Sequence, residues 1–229
     1  LSVADSGFDN WLDGYKLGAP NRKTSIYPDA ALCMLMVDIE IIKNSNGKNS
    51  LHSVMKELYK EFALKSRGYS ENDFQNICVK YGGKKVKEIF KNHIYGTNNY
   101  VPSLETALDL VGLQLKEKKN ANLSAQYFGF VAIKENERLI IKKVEPDSEA
   151  DQNEIAVEDE ITEINGIKIK NNFSDTLKEC KNKVTFKIKK KFSEKDITLT
   201  IGNYYKLLEI IKNEDSSKEQ LKFRKIWTS

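Results

Sequence analysis

Cysteine, histidine and proline are scarce here: 229 residues include three Cys, two His and four Pro. Cys33, Cys78 and Cys180 stand far apart and are odd in number, so they build neither a disulfide framework nor a CxxC metal pair. Each lies in an apolar helical context, where a buried free thiol is expected. The histidines do not supply H-E-x-x-H, because Ser53 follows His52 and Ile94 follows His93. His93 continues an apolar stripe and reads as a satisfied histidine rather than a ligand. A phosphate-binding P-loop, a G-x-S-x-G elbow and a Cys–His pair of catalytic spacing are all missing. No metal or other cofactor is therefore expected in this chain, which is not an active site by itself. The longest apolar run, from Ala30 to Ile42, is interrupted by Asp38 and Glu40 and falls short of the ~20 residues of a membrane span. No signal peptide is visible. The chain opens without Met on what reads as the inside of a domain, so a piece of a longer protein is expected. Charge of one sign is also thin: 37 Lys and Arg face 33 Asp and Glu, a net charge of +4. The densest basic run (Lys187, Lys189, Lys190, Lys191) alternates with apolar residues like the solvated face of a strand. Tracking phosphates needs a concentrated stripe, so nucleic acid is not an expected partner.

What is present suffices for two domains of roughly 100 residues. Residues 1–115 read as helical. Ala30 to Ile42 is apolar nearly all round, as in a helix buried on most sides. Leu51, Val54, Met55, Leu58, Tyr59 and Phe62 recur on one helical face behind Ser50 as N-cap. Ser70 opens another helix with Asp73 in a capping-box position, and Gly82-Gly83 is expected to stop it. Val86, Ile89, Phe90 and His93 form a further stripe, and a last helix runs from about Ser103 to Val111 with Gly112 after it. The polar stretch 116–125 suits a linker. From 126 to 202 the pattern is of short strands separated by turns, with a single helix from Ser174 to Cys180. Residues 203–229 read as a tail packing back on a domain through Leu221, Phe223 and Trp227, with Tyr205, Leu207 and Glu209 alternating before it. The fold class is α+β, multidomain.

Four segments of the β region carry a resemblance in order. They are Tyr127-Phe128-Gly129-Phe130, Val144-Glu145-Pro146-Asp147-Ser148-Glu149-Ala150, Glu158-Asp159-Glu160-Ile161 and Ile164-Asn165-Gly166. Together they resemble the carboxylate loop, the V-x-P-x-S-x-A segment and the G-D-x-I…I-N-G strand and turn of PDZ domains, with Glu158 where glycine is usual. An apolar–Gly–apolar turn into an edge strand leaves backbone N–H groups that hold a peptide's terminal carboxylate while the peptide adds as a strand. The resemblance implies a groove between the strand of Phe130 to Ala132 and the helix of Ser174 to Cys180. Phe128, Gly129 and Phe130 would form the carboxylate loop, with Phe130 and Leu177 lining the pocket for the last side chain. The implied partners are peptides or protein C-termini. The alternative at these positions is that Phe128 and Phe130 are core residues of a module that binds nothing.

The helical half is similar to the glycyl-aminopeptidase family of zinc metallopeptidases. The similarity runs through Ser2–Trp11, Pro20-Asn21, Ser25–Leu32, Ser50–Met55 with Leu58-Tyr59, Gly68–Phe74, Phe90, Gly96-Thr97 and Val111-Gly112-Leu113. That family resemblance implies that a thermolysin-like (gluzincin) catalytic domain, with zinc held by H-E-x-x-H, precedes Leu1 as a partner in the same chain. It also implies a bacterial, extracytoplasmic setting. Tyr27 matches a tyrosine expected to stabilise the oxyanion formed on the scissile carbonyl, whereas Asp29 and Ala30 stand where the family has Lys and Gly. The implied function is the C-terminal part of a zinc aminopeptidase, supplying part of the substrate cleft and a PDZ module. The alternative is a non-catalytic adaptor or pseudoenzyme working through the PDZ domain, and at Tyr27 a residue that merely opens the buried helix.

Overall fold

The computed structural model describes residues 1–10, 25–169, 173–204 and 207–229. Trp11, Pro20, Asn21 and Tyr205 lie outside the described residues. The chain forms two compact units. One comprises the described residues up to Lys116 together with Ile210–Ser229, and the other spans Glu117–Glu209.

The first unit is helical: α1 (Val3–Asp9), α2 (Ile26–Asn44), α3 (Leu51–Glu61), α4 (Glu71–Ile89), α5 (Val101–Leu110) and α9 (Lys218–Trp227). α2 is the centre, because an apolar helix with no polar face must be covered on several sides. Cys33, Met36, Val37, Ile39, Ile41 and Ile42 are buried, and α2 packs against α4, α5 and α9. Each such aliphatic side chain contributes about 1.5–3 kcal/mol when fully buried. Asp38, which interrupts the apolar run, has a structural use: it accepts the Leu51 N–H at 2.7 Å, fixing the start of α3. Ser50 and Ser70 cap α3 and α4 as their sequences imply. Gly83 takes φ 68° and ψ −153°, so the Glu71–Ile89 run is two helices meeting at a kink. A π-helical turn, Phe90–Ile94, follows directly.

Several expectations need correction. Met55 and Tyr59 are exposed, while Val54 and Leu58 are buried; the buried stripe of α3 is narrower than its apolar pattern, and these two lie on its flank. In α9, Phe223 is buried but Leu221 is exposed, and Ile226 and Trp227 complete the packing face. The expected linker 116–125 is largely ordered. Its start belongs to β1 (Leu113–Lys118), which pairs with β8 (Leu207–Lys212), and its end enters α6 (Leu123–Phe128) behind the N-cap Asn122. Local composition does not reveal this, because the partner of β1 lies some ninety residues later in sequence.

The second unit contains α6, β2 (Phe130–Glu135), β3 (Arg138–Val144), α7 (Glu149–Gln152), β4 (Glu160–Ile164), β5 (Ile167–Lys168), α8 (Phe173–Glu179), β6 (Lys183–Lys189) and β7 (Glu194–Thr200). Its sheet has the order β2-β3-β4-β6-β7, with β5 paired to β4. All the pairings are antiparallel. The lysine-rich β6 alternates as expected, with Val184, Phe186 and Ile188 buried between polar neighbours. Asn165 and Gly166 both have positive φ, 48° and 77°, which is the tight reversal that an Asn-Gly pair favours between β4 and β5. Glu158 adopts φ 71°, a conformation that glycine takes most readily.

Candidate peptide groove

β2 lies at one edge of the sheet. Among the described residues no strand pairs with its outer side, the geometry at which a sheet can take an added strand. A bulge between Val131 and Ala132 shifts the register of β2 on β3 and re-aims the side chains beyond it. A cavity of about 690 Å³ opens beside the distal half of β2 and the first turn of α8. Its floor includes Ala132, Leu139, Ile161, Ile169 and Phe173. Charges surround it: Arg138 binds Glu160 at 2.7 Å, Lys134 binds Glu137 at 2.8 Å, and Asp175 binds Lys178 at 2.8 Å. The Arg138 guanidinium holds the Glu160 carboxyl below its ordinary range, which keeps this rim pair ionised at neutral pH. Lys168, exposed at the same mouth, has no carboxylate within ion-pair distance among the described residues.

Phe128, Phe130 and Leu177 come together, and all three are buried in one core cluster at 0%, 0% and 1% exposure. Phe128 and Phe130 stack at 6.1 Å, and both meet Phe186 edge-on at 5.2 and 5.6 Å. Gly129, at φ 82°, terminates α6 in the left-handed conformation. Its N–H donates to the Ala125 carbonyl at 3.1 Å, and its own carbonyl accepts the Glu145 N–H at 2.7 Å. A side chain at Gly129 would collide with Ser148, itself buried as the N-cap of α7. The row of outward N–H groups expected from this tetrapeptide is thus not open at Gly129. Sequence reasoning placed Ala132 on the groove strand but did not single out Phe173 or Lys168. Their common signal is faint, because the bulge in β2 and the short α8 decide which side chains meet.

In the helical unit, Tyr27 is the second residue of α2 and is 63% exposed. Asp29 is buried, and both its oxygens are engaged: Oδ2 accepts the Ser25 N–H at 2.7 Å, and Oδ1 accepts the Tyr100 hydroxyl at 2.7 Å. Burial and the Asp29 carboxylate push the Tyr100 phenol up to about 12. The Asp29 carboxylate therefore fastens the start of α2 to the residue preceding α5. An open, mostly apolar cleft of about 640 Å³ in this unit is lined by Ile26, the neighbour of Tyr27, with Phe8, Met34, Phe74 and Tyr95. His93 is buried with Nδ1 3.3 Å from the Asn98 carbonyl and Nε2 2.9 Å from the Ser103 hydroxyl. A carbonyl only accepts, so Nδ1 is the donor in that hydrogen bond, while the Ser103 hydroxyl can either donate to Nε2 or accept from it. Among the described residues no three His, Cys, Asp or Glu side chains are disposed to hold a metal ion. The described residues do not fit a zinc site.

The PDZ domain family model matches residues 103–189, so a PDZ domain is present. The match reaches back into α5, whose Leu104, Ala107 and Leu108 belong to the helical core, and it stops at the end of β6, before β7. Among solved structures, an aminopeptidase N family protein from Idiomarina loihiensis superposes with a TM-score of 0.79 at 21% identity. The superposition covers 96% of this chain and 40% of that one; the chain spans well under half the length of this neighbour, whose likeness is one of fold. A PDZ domain protein from Parabacteroides distasonis gives a TM-score of 0.30 at 21% identity, over 47% of this chain and 23% of its own. No curated protein matches the chain. No helix among the described residues is long and apolar enough to cross a membrane.

Proposed function

We propose that this chain is the peptide-recognition portion of a zinc-dependent aminopeptidase, in which the PDZ groove engages polypeptide by strand addition at β2. The observation that carries the reading is the edge position of β2, with no further strand beside it among the described residues, next to a roomy cavity at α8 within a PDZ domain. Main-chain hydrogen bonds along such an edge supply affinity, and pockets under alternate side chains supply selectivity. Peptides selected from a displayed random library on the 229-residue chain provide the test. Ala132→Trp should fill the cavity and weaken their binding at least tenfold while the thermal midpoint stays put. Undiminished binding would remove the groove from the function.

The enzymatic part of the proposal assigns zinc and its ligands to polypeptide outside these residues, in a bacterial, extracytoplasmic protein. The open cleft beside Ile26 would serve as a wall of the substrate site. Tyr27, exposed at the start of α2, would donate its hydroxyl to the oxyanion. In the complete enzyme, Tyr27→Phe should lower kcat by ~100-fold, the scale of one lost oxyanion donor; an unchanged kcat would exclude it. The adaptor alternative leaned on Asp29, and the two hydrogen bonds of that carboxylate supply a local structural reason for its presence.

A further inference from the structure

We infer that the PDZ groove takes an internal, extended segment carrying an acidic side chain, and does not require a free C-terminus. This rests on the peptide-binding reading above and concerns the chemistry of the ligand.

Capturing a terminal carboxylate needs two or three backbone N–H groups pointing into an open recess, with an adjoining pocket for the last side chain. At the start of β2 the central N–H of that loop is withdrawn and the adjoining pocket is filled. Phe128 is the last residue of α6, and the Gly129 N–H already closes that helix onto the Ala125 carbonyl at 3.1 Å. The Gly129 carbonyl holds the Glu145 N–H, and buried Ser148 presses against the Cα of Gly129. Opening the loop would break both bonds. The adjoining pocket is filled by the protein itself, since Phe130 and Leu177 are 0% and 1% exposed inside the aromatic cluster with Phe186. The free volume lies at the opposite end, beyond the bulge, between Ala132, Leu139 and Phe173. A ligand held there by the edge of β2 needs only an extended backbone, and its chain can continue past both ends.

The rim adds a charge requirement. Glu137, Glu160 and Asp175 each have a basic partner, at 2.8, 2.7 and 2.8 Å. Lys168 alone among these rim charges lacks one among the described residues. An incoming Asp or Glu would supply that missing partner, whereas a Lys or Arg would supply none.

The test selects peptides on the intact chain from two phage libraries, one displaying random peptides with free C-termini and the other displaying them internally. Chosen binders are synthesised as acid and amide forms and titrated by fluorescence anisotropy. Binders from the internal library, rich in Asp or Glu, with acid and amide affinities within twofold, are the expected result. Lys168→Glu, at an exposed position that leaves the core untouched, should weaken them at least fivefold. Binders from the free-terminus library alone, or acids bound more than tenfold tighter than amides, would overturn the inference while leaving the groove in place. Insensitivity to Lys168→Glu would overturn the acidic requirement. Binders from neither library would overturn the peptide-binding reading and this inference with it.

Discussion

Two hydrogen bonds at Asp29 and two at Gly129 redirect what the residues imply. By the peptidase resemblance alone, Asp29 beside Tyr27 reads as a changed charge at a reaction site. In the fold its oxygens point to Ser25 and Tyr100, where they fix the beginning of a buried helix. The cysteines make a simpler case. Burial pushes the Cys33 thiol up to about 11, assisted by Asp29, and Cys78 up to about 12. At pH 8 the thiolate fraction of Cys33 is then about one part in a thousand. Native protein treated with iodoacetamide at that pH should therefore be modified first at half-buried Cys180, with Cys33 and Cys78 protected until unfolding; early modification of Cys78 would contradict the packing of α4 on α2. Glu158 offers a stability test. Its left-handed backbone disfavours any side chain by about 1 kcal/mol, and its exposed ion pair with Lys142 is worth little, because Lys142 also binds Glu135. Glu158→Gly should raise the urea midpoint slightly, and a clear loss would mean that the ion pair outweighs the strain.

Among elements, those defined by their own residues were legible before any coordinates. The serine caps of α3 and α4, the all-apolar α2, the Asn-Gly reversal and the alternating β6 all follow from short-range rules. Elements that depend on distant partners were not. β1 reads as polar connection because its partner β8 comes much later, and Met55 and Tyr59 read as buried because periodicity cannot tell how wide a neighbour's cover will be. The groove was half legible. Its position between β2 and α8 follows from the PDZ-like segments, but which end is open depends on the capping of α6 and the bulge in β2. Phe130 distinguishes the alternatives. As a fully buried ring in a three-ring cluster, its replacement by Ala should cost about 3–5 kcal/mol of stability in chemical unfolding. A loss below about 1 kcal/mol would mark it as the wall of an open pocket instead.

At the scale of the whole molecule, the chain is a helical unit and a PDZ unit, each with its own core. The fold of nearly the whole chain has a counterpart in an aminopeptidase N family protein, of which it spans 40%. The helical unit holds an exposed tyrosine and an open apolar cleft, and the PDZ unit holds, among the described residues, an edge strand with a cavity beside it. The central claim is that this edge is where the chain meets polypeptide. Its most direct test is a ¹⁵N–¹H correlation spectrum of the 229-residue chain titrated with a library-selected peptide. The account predicts that the largest amide shifts fall in 131–135 of β2 and 173–177 of α8. Shifts centred on the β7 edge or in the helical unit, with β2 unmoved, would contradict it.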